Sequence, residues 1–311
     1  MKKRLFAAVA AAVLLLSSCA GEARRRGEIY GTFDTVIEVI TSLPQAETDR
    51  FTALAKEKLE EWNKLTDAYH PYEGVNGIYA INHSGGKPVP AEEKLLDLLT
   101  FGMEAYRETG GTIDLTCGAV TRLWKDVDAP PSEAAVTEAL RHVGIENLVI
   151  DREKNTVCLL DPDAALDVGA FAKGYALQQV AKELQTEGFR GVLSATSSVV
   201  AVGDNAAIGI SDPKNGGYDR VLTLRDTALA TAGTNQRFFE YQGRKYHHII
   251  DLSDGFPSDS GVIQASIVCE DAGWADVYAT AAVIDGHTER DGLLYDAEGT
   301  IHETGKIKEL S

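Results

Sequence analysis

Between Val192 and Cys269 the sequence gives up helical spacing for a run of short apolar stretches separated by Gly, Asp, Asn and Pro. This switch constrains the fold more than any other feature of the chain. The stretches are Val192–Ser194, Val199–Val202, Ala207–Ile210, Val221–Leu224, Phe238–Tyr241, Tyr246–Ile250 and Val262–Val268, and their turn-forming boundaries predict strands. Ahead of them the spacing is mostly helical. Residues 45–65 place Phe51, Leu54, Ala55, Leu59 and Trp62 on one face, and residues 91–108 do the same with Leu95, Leu98, Leu99, Met103 and Tyr106. Gly110-Gly111 stops the second helix. Further helices are predicted over 132–142, with Ser132 as N-cap, over 171–187 and over 275–284, and strands over 28–40, 148–150 and 157–160. The polar segment 67–82 is expected to wrap over a site. Helices concentrated in the N-terminal half and strands later predict an α+β domain with a mixed or antiparallel sheet, not regular βαβ alternation.

The amino terminus bears on location. Lys2, Lys3 and Arg4 precede an almost wholly apolar stretch, Leu5 to Leu16, that runs into Ser17-Ser18-Cys19. The stretch is too short to span a bilayer as a mature helix and reads as an export signal over residues 1–18. Leu16-Ser17-Ser18-Cys19 resembles a lipobox, with Cys19 the lipidated first residue of the mature protein. Residues 19–27, with Arg24-Arg25-Arg26, read as a tether close to lipid headgroups. The expected location is the outer face of the cell membrane, held by a lipid anchor, with residues 28–311 as one domain.

The formal charge is -17, which disfavours nucleic acid as a partner and leaves any phosphate ligand dependent on a local cation or on backbone N–H groups. Cys117, Cys158 and Cys269 have no metal-ligand spacing and read as free thiols, or as one disulfide plus one thiol.

Five clusters carry possible chemistry. Tyr30-Gly31-Thr32 either lets a flat ligand approach the backbone or is a glycine bulge. In Gly110-Gly111-Thr112-Ile113-Asp114-Leu115-Thr116, Thr116 is placed to cap a following short helix, and Asp114 is either a ligand contact or a turn residue. Leu166-Asp167-Val168-Gly169-Ala170-Phe171-Ala172-Lys173-Gly174-Tyr175 passes from strand to helix and sets Lys173 in the first turn, against the helix dipole, as if an anion were to lie there. In Tyr246-His247-His248-Ile249-Ile250-Asp251 the adjacent histidines point to opposite faces, so a shared metal is disfavoured and one is free to act as a base. Asp276 and Thr280 stand one helical turn apart, and their oxygens suit a hard cation such as magnesium, or else cap and back-bond to the helix.

In order and spacing these clusters resemble the ApbE family over about Glu28 to Ile307, and Leu65–His70 with Tyr72–Asn76 is similar to members from Gram-positive anaerobes. The resemblance implies Mg²⁺-dependent transfer of FMN from FAD to a Thr or Ser hydroxyl of a membrane redox subunit, with AMP released. Carried over by motif, Ala170 (through its carbonyl), Asp276 and Thr280 would bind magnesium. Tyr30, Thr112, Ile113, Asp114, Asp167, Lys173 and Ile250 would line the FAD site. His248 would be the base, with Asp276 as second choice.

Some positions depart from the family pattern. A Gly-Gly-Asn or Gly-Gly-Asp loop is replaced by Ala195-Thr196-Ser197-Ser198, and Thr-Ser-Gly-Asp-Tyr-x-Arg by Thr231-Ala232-Gly233-Thr234-Asn235-Gln236-Arg237. Asp-Pro after the histidines becomes Asp251-Leu252, and Met-Gly-Thr becomes Tyr30-Gly31-Thr32. Loss of the loop glycines is expected to make positive-φ backbone costly there. Two other readings follow from these departures: a flavin-binding lipoprotein without catalysis, and an FAD pyrophosphatase giving FMN and AMP.

Overall fold

A computed structural model describes residues 24–310; the export signal expected over residues 1–18 and the expected lipidation at Cys19 lie outside the described residues. The frame is an eight-stranded sheet. In spatial order its strands are Arg25–Thr32, Thr35–Thr41, Gly191–Ala195, Ser198–Val202, Ala228–Gly233, Val262–Cys269, Gly292–Asp296 and Ile301–Thr304. Every pairing is antiparallel.

The central strands are apolar almost throughout because both faces of the sheet are covered. Leu193, Val200 and Val202 join the core built with Phe51, Leu59, Leu177 and Val180 from the helices Gln45–Thr66 and Ala172–Thr186. The alternate residues Val192, Val199 and Ala201 point the other way, onto Ile208, Ile210, Leu222 and Leu224. Those four belong to a separate hairpin, Ala206–Ser211 with Tyr218–Leu224. Period-two alternation thus feeds two cores.

Two helices shape the site. Ala172–Thr186 and Ala272–Asp285 lie against each other along one face of the first. Gln178 Oε1 accepts the Ala272 N–H at 2.9 Å, and Lys182 pairs with Asp271 at 3.2 Å. One turn earlier, Gly174 makes the closest approach. A Cβ there would lie 2.2 Å from the Ala272 carbonyl oxygen and 2.7 Å from Asp276 Oδ2, so only glycine lets the helices meet this closely. The helices Glu93–Glu108, Gly118–Trp124 and Glu133–Leu140 and a small sheet of Val89–Pro90, Thr156–Leu159 and Leu148–Asp151 complete the domain.

Several expectations are revised. The strand expected over 28–40 is a hairpin, turning at Phe33 and Asp34 with φ of 54° and 52°. It begins at Arg25, so Arg25–Gly27, read as tether, are sheet residues. Arg26 pairs with Glu38 at 2.8 Å and Arg25 donates to the Leu43 carbonyl at 3.0 Å. The segment 67–82 contains a short helix, Ile78–Asn82. Residues 246–250 do not form one strand: Arg244–His247 and Ile250–Asp251 pair with different partners. Ser132 does cap its helix, accepting from the Ala135 N–H at 3.2 Å. The three cysteines are free and half-buried.

Candidate active site

The site grows from the start of helix Ala172–Thr186. Lys173 leaves the first turn, and its Nζ donates to Ser197 Oγ at 2.6 Å and to Ser198 Oγ at 2.5 Å. Ser198 in turn donates to Asp276 Oδ1 at 2.7 Å. The other carboxylate oxygen accepts the Gly174 N–H at 2.8 Å and lies 3.8 Å from Lys173 Nζ. Asp276 is 8% exposed, so these partners and not water hold its charge. Burial pushes the Asp276 carboxyl up, opposed by Lys173 and Ser198. Burial likewise pushes the Lys173 ammonium down, opposed by Asp276.

Neither structural alternative for Asp276 and Thr280 holds. Asp271 is the N-cap, accepting the Gly273 N–H at 2.9 Å. Thr280, half-buried, makes no side-chain hydrogen bond among the described residues. The bond from Gly174 has a second effect. That N–H would ordinarily continue the ladder back to the Ala170 carbonyl, but it is turned toward Asp276. Among the described residues, no hydrogen bond reaches the Ala170 carbonyl. A carboxylate, a hydroxyl one helical turn along and a main-chain carbonyl without a helical partner are oxygen donors of the kind magnesium takes, and each Asp276 oxygen keeps a second lone pair.

The loop missing its glycines keeps the left-handed backbone. Thr196 has φ of 60°, a conformation that costs a β-branched residue about 1–2 kcal/mol. Its Oγ1 is 2.7 Å from Thr35 Oγ1, which ties the loop to the first hairpin.

A second polar group lies on Asp167. Its Oδ2 accepts from Thr121 Oγ1 at 2.7 Å and from the Tyr69 hydroxyl at 3.2 Å, and its Oδ1 accepts the Gly169 N–H at 2.8 Å. Burial and then Asp167 push the Tyr69 phenol well up, so it stays a donor. Tyr69 is set by Asp67, which accepts the Tyr69 and His70 N–H groups and the Tyr72 hydroxyl. The segment 67–82 therefore does reach over this end of the domain, and Tyr69 and Thr121 are partners that periodicity could not reveal.

Other candidates sit less directly. Asp114 is buried and accepts from the N–H and hydroxyl of Thr116, both at 2.7 Å. Thr116 does not cap the short helix, whose N-cap is Cys117; its hydroxyl accepts the Gly144 N–H instead. Thr112 donates to Asp285 Oδ1 at 3.0 Å. The Ile113 side chain is in the main core, and that of Ile250 packs with Trp124 and Val136, so both can face a ligand only through their main chain. Gly31, at φ of 79°, lies where the register slips between Ile29 and Thr32. This is the bulge alternative, and Tyr30 is 63% exposed with its hydroxyl on Glu28.

The histidines do have different surroundings, but not by strand alternation, because the strand ends at His247 and His248 lies in the bend after it. His247 Nε2 lies 3.0 Å from the Ser258 carbonyl, and its Nδ1 accepts the Ile249 N–H at 3.3 Å. His248 faces outward with Nδ1 3.2 Å from the Arg237 carbonyl. That contact assigns the proton to Nδ1 and leaves Nε2 as an acceptor. Surrounding protein, against the bond to the Arg237 carbonyl, lowers the His248 imidazole below its ordinary range.

Fold and site together define an α+β domain that sets a lysine–carboxylate pair where two helices meet the centre of an antiparallel sheet. The ApbE family model matches residues 33–301, and the chain belongs to the ApbE family. The FAD:protein FMN transferase of Treponema pallidum (strain Nichols) is 29% identical, over 91% of this chain and 86% of the relative. That of Klebsiella pneumoniae (strain 342) is 23% identical, over 84% and 77%. The crystal structure of the ApbE protein from Thermotoga maritima superposes with a TM-score of 0.85 at 23% identity, over 93% of this chain and 99% of that one. A histidine-to-glycine variant of the flavin transferase ApbE from Vibrio cholerae gives 0.79 at 20%, over 93% and 100%. The fold is theirs.

Proposed function

We propose that this chain is an FAD:protein FMN transferase that moves FMN from FAD to a Thr or Ser hydroxyl of a partner redox protein and releases AMP. The observation that carries the reading is the fixed arrangement of Asp276 among Lys173, Ser198 and the Gly174 N–H. Thr280 stands one turn along, and the Ala170 carbonyl is relieved of its helical bond. Ala170, Asp276 and Thr280 would hold magnesium, which supplies positive charge to offset the charge developing on the diphosphate. In a chain of net charge -17 such local cations are a requirement.

The residues divide the work. Lys173 presents a cation to the phosphates. His248, neutral at physiological pH and with Nε2 unprotonated, accepts the proton of the acceptor hydroxyl. The hydroxyl oxygen forms the new bond to the FMN phosphorus, the bond from that phosphorus to the bridging oxygen breaks, and AMP leaves with that oxygen. Asp167 with Tyr69 and Thr121, and the turn bearing Thr112, Ile113 and Asp114, would receive the rest of FAD. We further propose that Cys19 is lipidated and that the enzyme works at the outer face of the cell membrane on a membrane redox subunit. Among the described residues, no helix is long and apolar enough to cross a membrane.

One observation favours a second reading. Two donors of Lys173 are already engaged by Ser197 and Ser198, and a lysine held in this way suits a flavin-binding protein without efficient transfer. Incubating the purified chain with FAD, magnesium and a threonine-bearing acceptor separates the readings. Covalently fluorescent acceptor supports transfer, FAD retained without turnover supports binding alone, and free FMN with AMP supports pyrophosphatase activity.

A further inference from the structure

Beside His248 stands a two-stranded ribbon, Phe238–Tyr241 with Arg244–His247, that belongs to no larger sheet. Arg237 and His248 close its base, where the His248 N–H donates to the Arg237 carbonyl at 3.2 Å. On one face Phe239 and Tyr246 stack with centroids 5.2 Å apart, and Trp124 lies 5.9 Å from Tyr246. Trp124 is itself pinned, its Nε1 donating to the Gly255 carbonyl at 2.9 Å. The root of the ribbon is therefore rigid.

Its outer part is not covered. Phe238 is 47% exposed and Tyr241 37%, two of the few large apolar side chains that the described residues leave open. Around them the charge is inverted relative to the rest of the molecule. Within residues 237–248, Arg237, Arg244 and Lys245 stand against Glu240, in a chain of net charge -17. Lys245 Nζ lies 4.0 Å from the centroid of Phe238 and Arg244 Cζ lies 5.3 Å from that of Tyr246, so the cations are spread over the aromatic surface. Exposed aromatic residues with arginine form the composition of a protein-binding surface.

We propose that this ribbon is the docking surface for the acceptor protein, and that it selects an acceptor whose target hydroxyl is flanked by acidic residues. The inference rests on the transferase reading, because a protein that brings a hydroxyl to His248 meets the ribbon that ends on that residue. The rest of so acidic a chain repels an acidic partner, and the ribbon supplies the attraction that orients it.

The test is binding, which needs no turnover. Fluorescence anisotropy of the full-length chain is measured with two labelled peptides, one carrying a threonine between aspartates and one with asparagines in their place. The chain is expected to bind the aspartate peptide more tightly, with a margin that shrinks as salt rises. The double variant Arg244→Glu with Lys245→Glu should bind it about tenfold more weakly while binding FAD as before. Phe238→Ser should weaken both peptides alike. Equal binding of the two peptides, or an aspartate preference that survives the charge reversal, would overturn the proposal. So would ribbon-dependent binding to vesicles of anionic phospholipid in place of the peptide. If the preference is found and no peptide is flavinylated, the transferase reading fails and the docking surface stands.

Discussion

Ser198 stands between a cation and an anion: its hydroxyl accepts from Lys173 Nζ at 2.5 Å and donates to Asp276 Oδ1 at 2.7 Å. The pair it bridges is held at 3.8 Å, longer than a direct charged hydrogen bond. One small side chain, fully buried, thereby fixes where both charges point.

Ser198→Ala removes both bonds and leaves a buried carboxylate short of a donor. Such a loss costs about 1–3 kcal/mol, and Lys173 is then expected to close directly onto Asp276. Urea denaturation should show the loss of stability, and magnesium titration of the activity should show a raised metal requirement. Ser198→Thr keeps the hydroxyl and should restore part of both. An alanine variant unchanged in both measurements would remove Ser198 from the site.

Gly174→Ala forces a methyl group against the Ala272 carbonyl and Asp276. Backbone cannot yield there as a flexible side chain can, so a destabilisation of about 2–3 kcal/mol is expected. Gly174 N–H would also be drawn away from Asp276, and transfer should fall by more than stability alone explains. Unfolding midpoints and rates measured on the same preparations separate the two effects.

The histidines set a pH dependence of stability. Desolvation lowers the pKa of both His247 and His248 in the folded chain. Unfolded, each takes up a proton near pH 6.5. The unfolded state therefore binds more protons just below that pH, and stability must fall as pH drops through about 6.5 and continue to fall toward the folded values. Urea midpoints at pH 8, 6 and 5 should decline in that order, and His247→Gln should flatten the decline. A midpoint that rises on acidification has the wrong sign for this account.

The same shift bears on the proposed transfer, in which His248 is the base. A base already neutral well below pH 6.5 stays competent there, so the acid limb of kcat/KM should lie below pH 6. His248→Gln should remove that limb along with most of the rate. A limb at the ordinary imidazole value would mean that another group titrates.

The α+β class was legible because two periodicities occupy different halves of the chain. The sheet's details were less so. The Phe33-Asp34 turn escaped notice because neither residue announces a two-residue hairpin as Asn-Gly does, and strand Ala228–Gly233 is too rich in small residues to stand out. Asp276 and Lys173 were visible as motif residues, but their meeting depends on Gly174 and on a strand that arrives between them. Ser197 and Ser198 looked like damage to a glycine loop; they hydrogen-bond to Lys173, and Thr196 keeps the left-handed backbone. Long-range pairs such as Tyr69 with Asp167 leave no trace in local spacing.

The most direct test of the central claim is a single stoichiometry. The purified chain is mixed with FAD, magnesium and a threonine-bearing acceptor domain, and intact mass of the acceptor is measured alongside AMP. The account predicts an acceptor heavier by FMN less one water, with one AMP for each acceptor modified, and loss of both with Asp276→Asn or a chelator. An unmodified acceptor beside intact FAD, or modification that Asp276→Asn leaves untouched, would contradict it.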